Sequence, residues 1–265
     1  TNGTIKNMNV LAFGAGNVDI FFGDGPYFVD TDAEGTEGYG VIDYTDERNA
    51  DAVGLVVESG NFALVSMKQS DQTTVKYTAL KATADYVGFV GIDDFKLSAT
   101  GIDIQYNAVK NSSNDSDTVV VNFSGENNYT VDTGNGELAI DYATTLLRAS
   151  VSQAELQISD YVFINGSLAF EKGPIETVTL SNGGTKEVST MKVGADDVTM
   201  FFGTNGPYWV DADGNGTPAT DDSEYNDAAV GLQITNASLA LSLMKPTSTD
   251  DIKYIGLKAT ASTLG

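Results

Sequence analysis

The chain has 265 residues, 41 % of them hydrophobic, with 37 acidic against 14 basic side chains and a formal charge of −23. That is enough apolar material for the core of one large all-β unit or two smaller domains, and enough negative charge to repel phosphate backbones and anionic bilayers while favouring divalent cations. The absence of cysteine and histidine excludes disulfides, thiolate or imidazole metal sites and His-based catalytic triads.

The N-terminal region reads as two short strands, NVLAF and VDIFF, around a Gly-Ala-Gly-Asn turn, with Val18, Ile20 and Phe22 on one face. A turn at 23–26 leads into a short strand at 27–29 and an ordered acidic loop over 30–47. From 52 to 106 short apolar alternations follow one another, and their first members fall at intervals of 7: Leu55 to Phe62, Leu80 to Val87, Phe95 to Ile102. The polar run at 110–117 reads as a linker or a long loop. The residues from Val119 predict two or three antiparallel strands bending at Gly125 and Gly134 to Gly136. A short helix is allowed only at 142–148. Alternation resumes at Val151, Leu156, Val162 and Leu168, and Asn182-Gly183-Gly184 predicts a hairpin turn within 176–190. Leu232 and Leu239 repeat the interval of 7. Sides of about seven residues predict a parallel β-helix (β-solenoid) of roughly 20 to 22 residues per coil with hairpin insertions. The alternative is a set of antiparallel β-sandwich domains.

The chain also repeats itself. FFGDGPYFVDTDAEG at 21–35 returns as FFGTNGPYWVDADGNG at 201–216, with an offset of 180 at Phe21/Phe201 and 181 at Pro26/Pro207 and Asp30/Asp211. AVGL at Ala52 and Ala229, Leu64 and Leu241, Met67-Lys68 and Met244-Lys245, and LKATA at Leu80 and Leu257 recur at 177. Residues 1–190 are thus read as a first full repeat and 191–265 as a truncated second one, in a segment of a longer protein. The opening TNGTIKN lacks a signal-peptide pattern, and no apolar run reaches the roughly 18 to 20 residues needed to span a bilayer as a helix.

These segments, with GSLAFEKG at Gly166, TVTLSNGGTKEVSTMKVGADDV, AVGLQITNASLALSLMK and VGIDDFKLSAT, resemble the long tandem repeats of giant secreted RTX-type bacterial surface proteins. The resemblance covers nearly the whole chain and implies a calcium-dependent, extracellular or cell-surface, adhesin-like role. The RTX nonapeptide GGxGxDxUx does not occur here, so RTX calcium rolls are not part of that implication.

The sharpest chemical motif is DADGNGTPATDD. Asp211, Asp213 and Asn215 take positions 1, 3 and 5 of an EF-hand-like loop, Gly216 the tight turn, Thr217 a main-chain carbonyl and Asp222 the closing position. Hard oxygen donors at alternate positions wrap one Ca2+ at about 2.4 Å, though Asp in place of Glu at the close weakens bidentate capture. The first copy keeps Asp30, Asp32 and Glu34 but has Val41 at the closing position, leaving Asp43 or Asp46 to complete the shell. The aromatics of the GPY segments, Tyr27, Phe28, Tyr208 and Trp209, are either core or a platform for sugar. The adjacent pairs Asp93-Asp94, Asp196-Asp197 and Asp221-Asp222 point to opposite faces of a strand and lack a basic cluster, so no catalytic set is read. The expected function is a calcium-stabilised structural repeat, a spacer or adhesin-like segment, with neighbouring repeats, surface glycans or another cell as partners and no nucleic acid or inserted membrane. A carbohydrate-binding module is the alternative, and a polysaccharide-active β-helix enzyme comes third.

Overall fold

The computed structural model describes residues 7–32, 34, 39–41, 46–70, 74–114, 119–209, 225–248 and 252–265. In chain order its strands are β1 (Met8–Asp24), β2 (Phe28–Val29), β3 (Glu47–Arg48), β4 (Val53–Gln69), β5 (Val75–Val90), β6 (Phe95–Asn111) and β7 (Tyr129–Asp132). They continue with β8 (Glu137–Ile140), β9 (Leu146–Ile158), β10 (Val162–Thr179), β11 (Thr185–Thr204), β12 (Val230–Pro246), β13 (Tyr254–Thr260) and β14 (Thr263–Leu264). One open sheet holds ten of them in the order β1-β4-β5-β6-β9-β10-β11-β12-β13, with β14 on the same side of β12 as β13, and β2-β3 and β7-β8 form two small separate pairs.

Every pairing among the described residues is antiparallel, which overturns the expected parallel β-helix and fits the antiparallel alternative in class, as an open meander. The short helix allowed at 142–148 does not form, because Leu146 already opens β9. Asn182-Gly183-Gly184 does make the predicted turn, joining β10 to β11 with Gly183 at φ +86°. The strands flanking 112–145 pair with each other in the large sheet, so that stretch is a loop within one unit and no domain linker.

The interval of 7 has a different cause from the one it suggested. Leu55 and Phe62 lie on one strand, β4, and Leu80 and Val87 on one strand, β5. An odd spacing within a strand puts two residues on opposite faces unless one extra residue intervenes, and a β-bulge supplies it. In β1 the register slips at Ala15/Val18, where Asn17 has φ +54°, and in β4 Ser59 takes φ +53° opposite that slip. The aligned residues of the second copy behave alike: Asp197 has φ +52°, Asn236 φ +47°, and β11–β12 slips at Ala195/Val198. Gly101 in β6 and Gly166 in β10 continue the row, so a crease of bulges runs across the sheet at mid-strand. The Gly-Ala-Gly-Asn segment expected to be a turn is part of this crease inside a single 17-residue strand.

Because the phase slips together in neighbouring strands, each face keeps its character on both sides of the crease. One face is apolar along row after row: Ala15, Phe62, Ala82, Ile104, Ala149, Phe170, Val193, Leu241 and Leu257 are successive cross-strand partners. The other face carries a ladder of paired polar groups, Gln105, Arg148, Glu171 and Lys192, with Arg148 Nη2 2.5 Å from Glu171. Over β4 and β5 this second face becomes the core. The β7–β8 hairpin lies across it, burying Ala63, Val65, Met67 and Ala79 against Phe123, Val131, Ile140 and Tyr142.

Two polar anchors hold that cover in place. The Tyr142 hydroxyl donates to the main-chain carbonyl of Leu80, and Asn107, fully buried, donates through Nδ2 to the carbonyls of Val121 (3.0 Å) and Thr144 (3.1 Å) at the two ends of the insertion. Losing both amide bonds would strand two carbonyls away from water.

The bulges provide a direct test of this architecture. Asn17→Gly is expected to keep the urea midpoint within about 0.5 kcal/mol of the parent, whereas Asn17→Val, a β-branched residue forced to positive φ, should cost about 1–3 kcal/mol. Equal effects of the two substitutions would remove the bulge from the account.

A candidate metal centre in the first acidic loop

The loop between β1 and β4 is closed at its mouth by the β2–β3 stub, in which Phe28 pairs with Arg48 and Val29 with Glu47. The next positions inward are Asp30 and Asp46. Their carboxylates meet that of Asp32, with one oxygen from each lying within 4.8 Å of the others. The main chain orients them: Asp30 accepts from the N–H of Asp32 (3.0 Å) and of Gly40 (2.6 Å), and Asp46 accepts from the N–H of Thr31 (3.2 Å). Asp46 is only 8 % exposed.

Three negative groups so close repel one another by about 1 kcal/mol per pair even at the dielectric constant of water, and more where water is scarce. A hard divalent cation turns that repulsion into attraction, and three carboxylate oxygens with main-chain carbonyls and water complete a shell of six to eight at about 2.3–2.6 Å. Of the expected ligands the structure brings together Asp30 and Asp32. Glu34 sits exposed in the following turn, outside the group, and Asp46 is the third member of the group. Asp211, Asp213, Asn215, Thr217 and Asp222 lie outside the described residues, as does Asp43.

The frame of the second loop is nevertheless visible at both ends. Trp209 bridges Tyr225, and these residues align with Phe28 and Arg48. On the sheet side of each mouth stands an asparagine that sequence reasoning passed over. Asn49 N–H donates to Tyr27 O (2.7 Å) and its Nδ2 to Pro26 O (2.7 Å), while Asn226 makes the same bonds to Tyr208 O (2.8 Å) and Pro207 O (3.1 Å). Both also accept on Oδ1 from the residue two positions on, Asp51 or Ala228. The signal was present in NADAVGL and NDAAVGL, where the asparagine leads the recurrent AVGL by the same distance.

Tyr27 and Phe28 at the mouth of the first loop are packing groups. Tyr27 is 7 % exposed and stacks on Phe21 at 5.7 Å, so it offers no exposed platform. Its hydroxyl donates to Glu58 Oε1 (2.5 Å), and Arg48 Nη2 reaches the other oxygen of the same carboxylate at 2.7 Å. Burial, reinforced by the Glu58 carboxylate, holds the Tyr27 phenol well above its ordinary value of 10.0. In the second copy Thr235 stands at the position of Glu58, and Tyr208 packs against Trp209 (5.3 Å) and Tyr225 (5.3 Å) instead.

Beside this loop a polar hollow of about 620 Å3 is lined by Tyr27, Arg48, Glu58, Tyr86, Lys96 and Glu155, and its cations are already engaged, Lys96 with Glu155 at 2.7 Å and Arg48 with Glu58. The adjacent acid pairs serve turns and bulges. Asp94 has φ +57° in the β5–β6 connection, and Asp196 accepts from Ser238 Oγ (2.6 Å) next to the bulged Asp197. Asp221-Asp222 lies outside the described residues.

Fold and loop together define an open, all-antiparallel β-sheet protein whose acidic loops are clipped shut at their mouths. Compared with protein-family models, curated protein sequences and solved structures, the chain matches none.

The raised Tyr27 pKa has a consequence for stability. A phenol whose folded pKa exceeds its unfolded one contributes stability fully present below about pH 10 and lost as pH rises beyond it, because the unfolded chain releases the proton first. Burial raises Tyr142 in the same way. Urea midpoints should therefore be level up to about pH 9 and fall by about pH 11, and the fall should shrink in a Tyr27→Phe/Tyr142→Phe variant. An unchanged slope in that variant would assign the alkaline loss to other groups.

Proposed function

We propose that this chain is a length of structural scaffold from an extracellular or cell-surface protein, a calcium-stabilised repeat with a spacer or adhesin-like role. The observation that carries this reading is the return of the same strand with the same fault. After six long strands and their insertions, β11 and β12 resume the pattern of β1 and β4, down to the positive-φ bulges at Asp197 and Asn236 and the asparagine-clipped loop mouth. A sheet built in this way lengthens by whole units, each contributing its own β strands to the free side of the last. Such growth supplies reach and stiffness.

The acidic loops are where solution conditions act on that stiffness. Calcium bound by Asp30, Asp32 and Asp46 would fasten the first loop onto the end of the sheet face where Tyr27 packs on Val56, and the DADGNG loop offers a second ligand set. The strong negative charge suits a medium rich in divalent cations, and it favours partners such as neighbouring repeats and surface glycans over nucleic acid.

Calcium at about 100-fold over its Kd should stabilise each bound site by about 2.7 kcal/mol, read as a rise in Tm over the chain in EDTA. Asp30→Asn/Asp46→Asn should remove the share of that rise belonging to the first loop. Superimposable melts in EDTA and in calcium would end the calcium reading. The scaffold reading is tested separately by splicing residues 11–88 in place of 191–265. The spliced chain should keep its far-UV circular dichroism and melt cooperatively within a few degrees of the parent, and loss of strand content would sink the equivalence of the two copies.

A further inference from the structure

The apolar face of the long sheet has no cover among the described residues. Phe13 is 56 % exposed, Phe22 67 %, Leu168 47 %, Leu232 43 % and Leu257 65 %, and an apolar depression of about 600 Å3 runs along its middle between Leu55 and Val193. We infer that this face packs against the same face of a second copy of the chain, with the strands of the two sheets antiparallel. The inference uses the sheet alone and does not depend on the scaffold reading.

Relief, area and charge each point to this occupant. The face is built of knobs and hollows: Phe62 stands between Ala15 and Ala82, Phe170 beside Ala149, and Leu239 between Ala195 and Ala259. Facing sheets about 10 Å apart interdigitate such side chains, whereas fluid acyl chains need no relief. In lipid the free backbone of the end strands β1 and β13 would also go unpaired at a cost of several kcal/mol per group. The eight long strands, about 4.8 Å apart and each with an apolar stretch of about ten residues at about 3.3 Å, give a footprint of roughly 1,250 Å2 per copy before the seven-residue β13 is counted. The total of about 2,500 Å2 lies in the range of obligate homodimers.

Charge sets the orientation. Just beyond the apolar rows at one end, on the same face, stand Lys68, Lys76 and Lys110, which are cross-strand partners, followed by Lys172 and Lys245. All five are exposed, and none joins an ion pair among the described residues. The opposite end of the sheet holds Asp24, Asp51, Asp93, Asp94 and Asp160. Parallel stacking would set lysines over lysines. Antiparallel stacking about a two-fold axis running across the strands lays each lysine end over the partner's acidic end and each strand over its own counterpart.

Light scattering on the intact chain in detergent-free buffer should report twice the 27.9 kDa of one copy. Leu168→Lys/Val193→Lys, at the centre of the face, should give a monomer with an unchanged circular dichroism spectrum. A second measurement leaves the face intact, so that it does not depend on the fold tolerating two buried lysines. The chain has no cysteine of its own, and the ends of β6 are about 50 Å apart. Asp94→Cys/Lys110→Cys should therefore be joined into covalent dimers by a short bis-maleimide, and Lys110→Cys alone should not. Efficient cross-linking of Lys110→Cys alone would overturn the arrangement in favour of parallel stacking. A monomer that floats with phosphatidylglycerol-containing vesicles would make lipid the occupant, and a monomer that binds nothing would overturn the inference outright.

Discussion

Side chains on a strand alternate with period two, and a strand of seventeen or more residues that must keep one apolar face can absorb an extra residue only by bulging. Nearly every long strand here carries such a residue at mid-length, and the slips lie side by side, so that the apolar rows above and below the crease stay on one surface. A slip in one strand alone would throw half its side chains onto the wrong face and misalign both neighbours. The crease is therefore a collective property of the sheet. Asparagine, aspartate, serine and glycine occupy it because the extra residue takes a left-handed conformation that β-branched side chains resist.

The two faces then divide the work. The polar face is dressed by its own insertions, the β7–β8 hairpin over β4 and β5 and the clipped acidic loop over the opposite end of the same strands, and beside them, across β6, β9, β10 and β11, runs the ladder of Gln105, Arg148, Glu171 and Lys192. Most buried side chains belong to this dressed side. The acidic charge is concentrated in connections, where carboxylates remain in water or gather around a cation. The lysines are few and stand mainly on the strands, many of them at one end. A molecule with so large a net charge thus has an electrostatic direction along its strands.

Much of this was legible in the residues. The Asn182-Gly183-Gly184 turn, the hairpin after Val119 and the closeness of the Asp30 and Asp32 carboxylates all depend on chain-local chemistry, and each stands where local chemistry puts it. The interval of 7 was legible too, but its meaning was not. A bulge and a tight turn draw on the same residues at positive φ, and nothing within a window of a dozen residues says whether the chain reverses or continues. Deciding it requires the partner strand, because Asn17 is a bulge only by virtue of the register β1 holds with β4. The same limit left the closing position open between Asp43 and Asp46. Asp46 lies sixteen residues beyond Asp30 and reaches it through the pairing of Val29 with Glu47, a contact that spacing does not encode. Asn49 and Asn226 were hidden differently, in plain view within an aligned segment whose apolar part drew the eye.

The equivalence of β1 and β11 bears on how such molecules fail. The edge of β11 nearest the start of the chain is occupied by β10, whose hydrogen-bonding groups and side-chain order fit it with a defined register and two slips. Among the described residues no strand pairs with the corresponding edge of β1, which presents closely related donors, acceptors and bulge. To a strand resembling β10, from whatever molecule, the two edges are nearly the same address. Errors of assembly between copies would thus be errors of partner with the register kept, giving ordered strings of varied length in preference to amorphous precipitate.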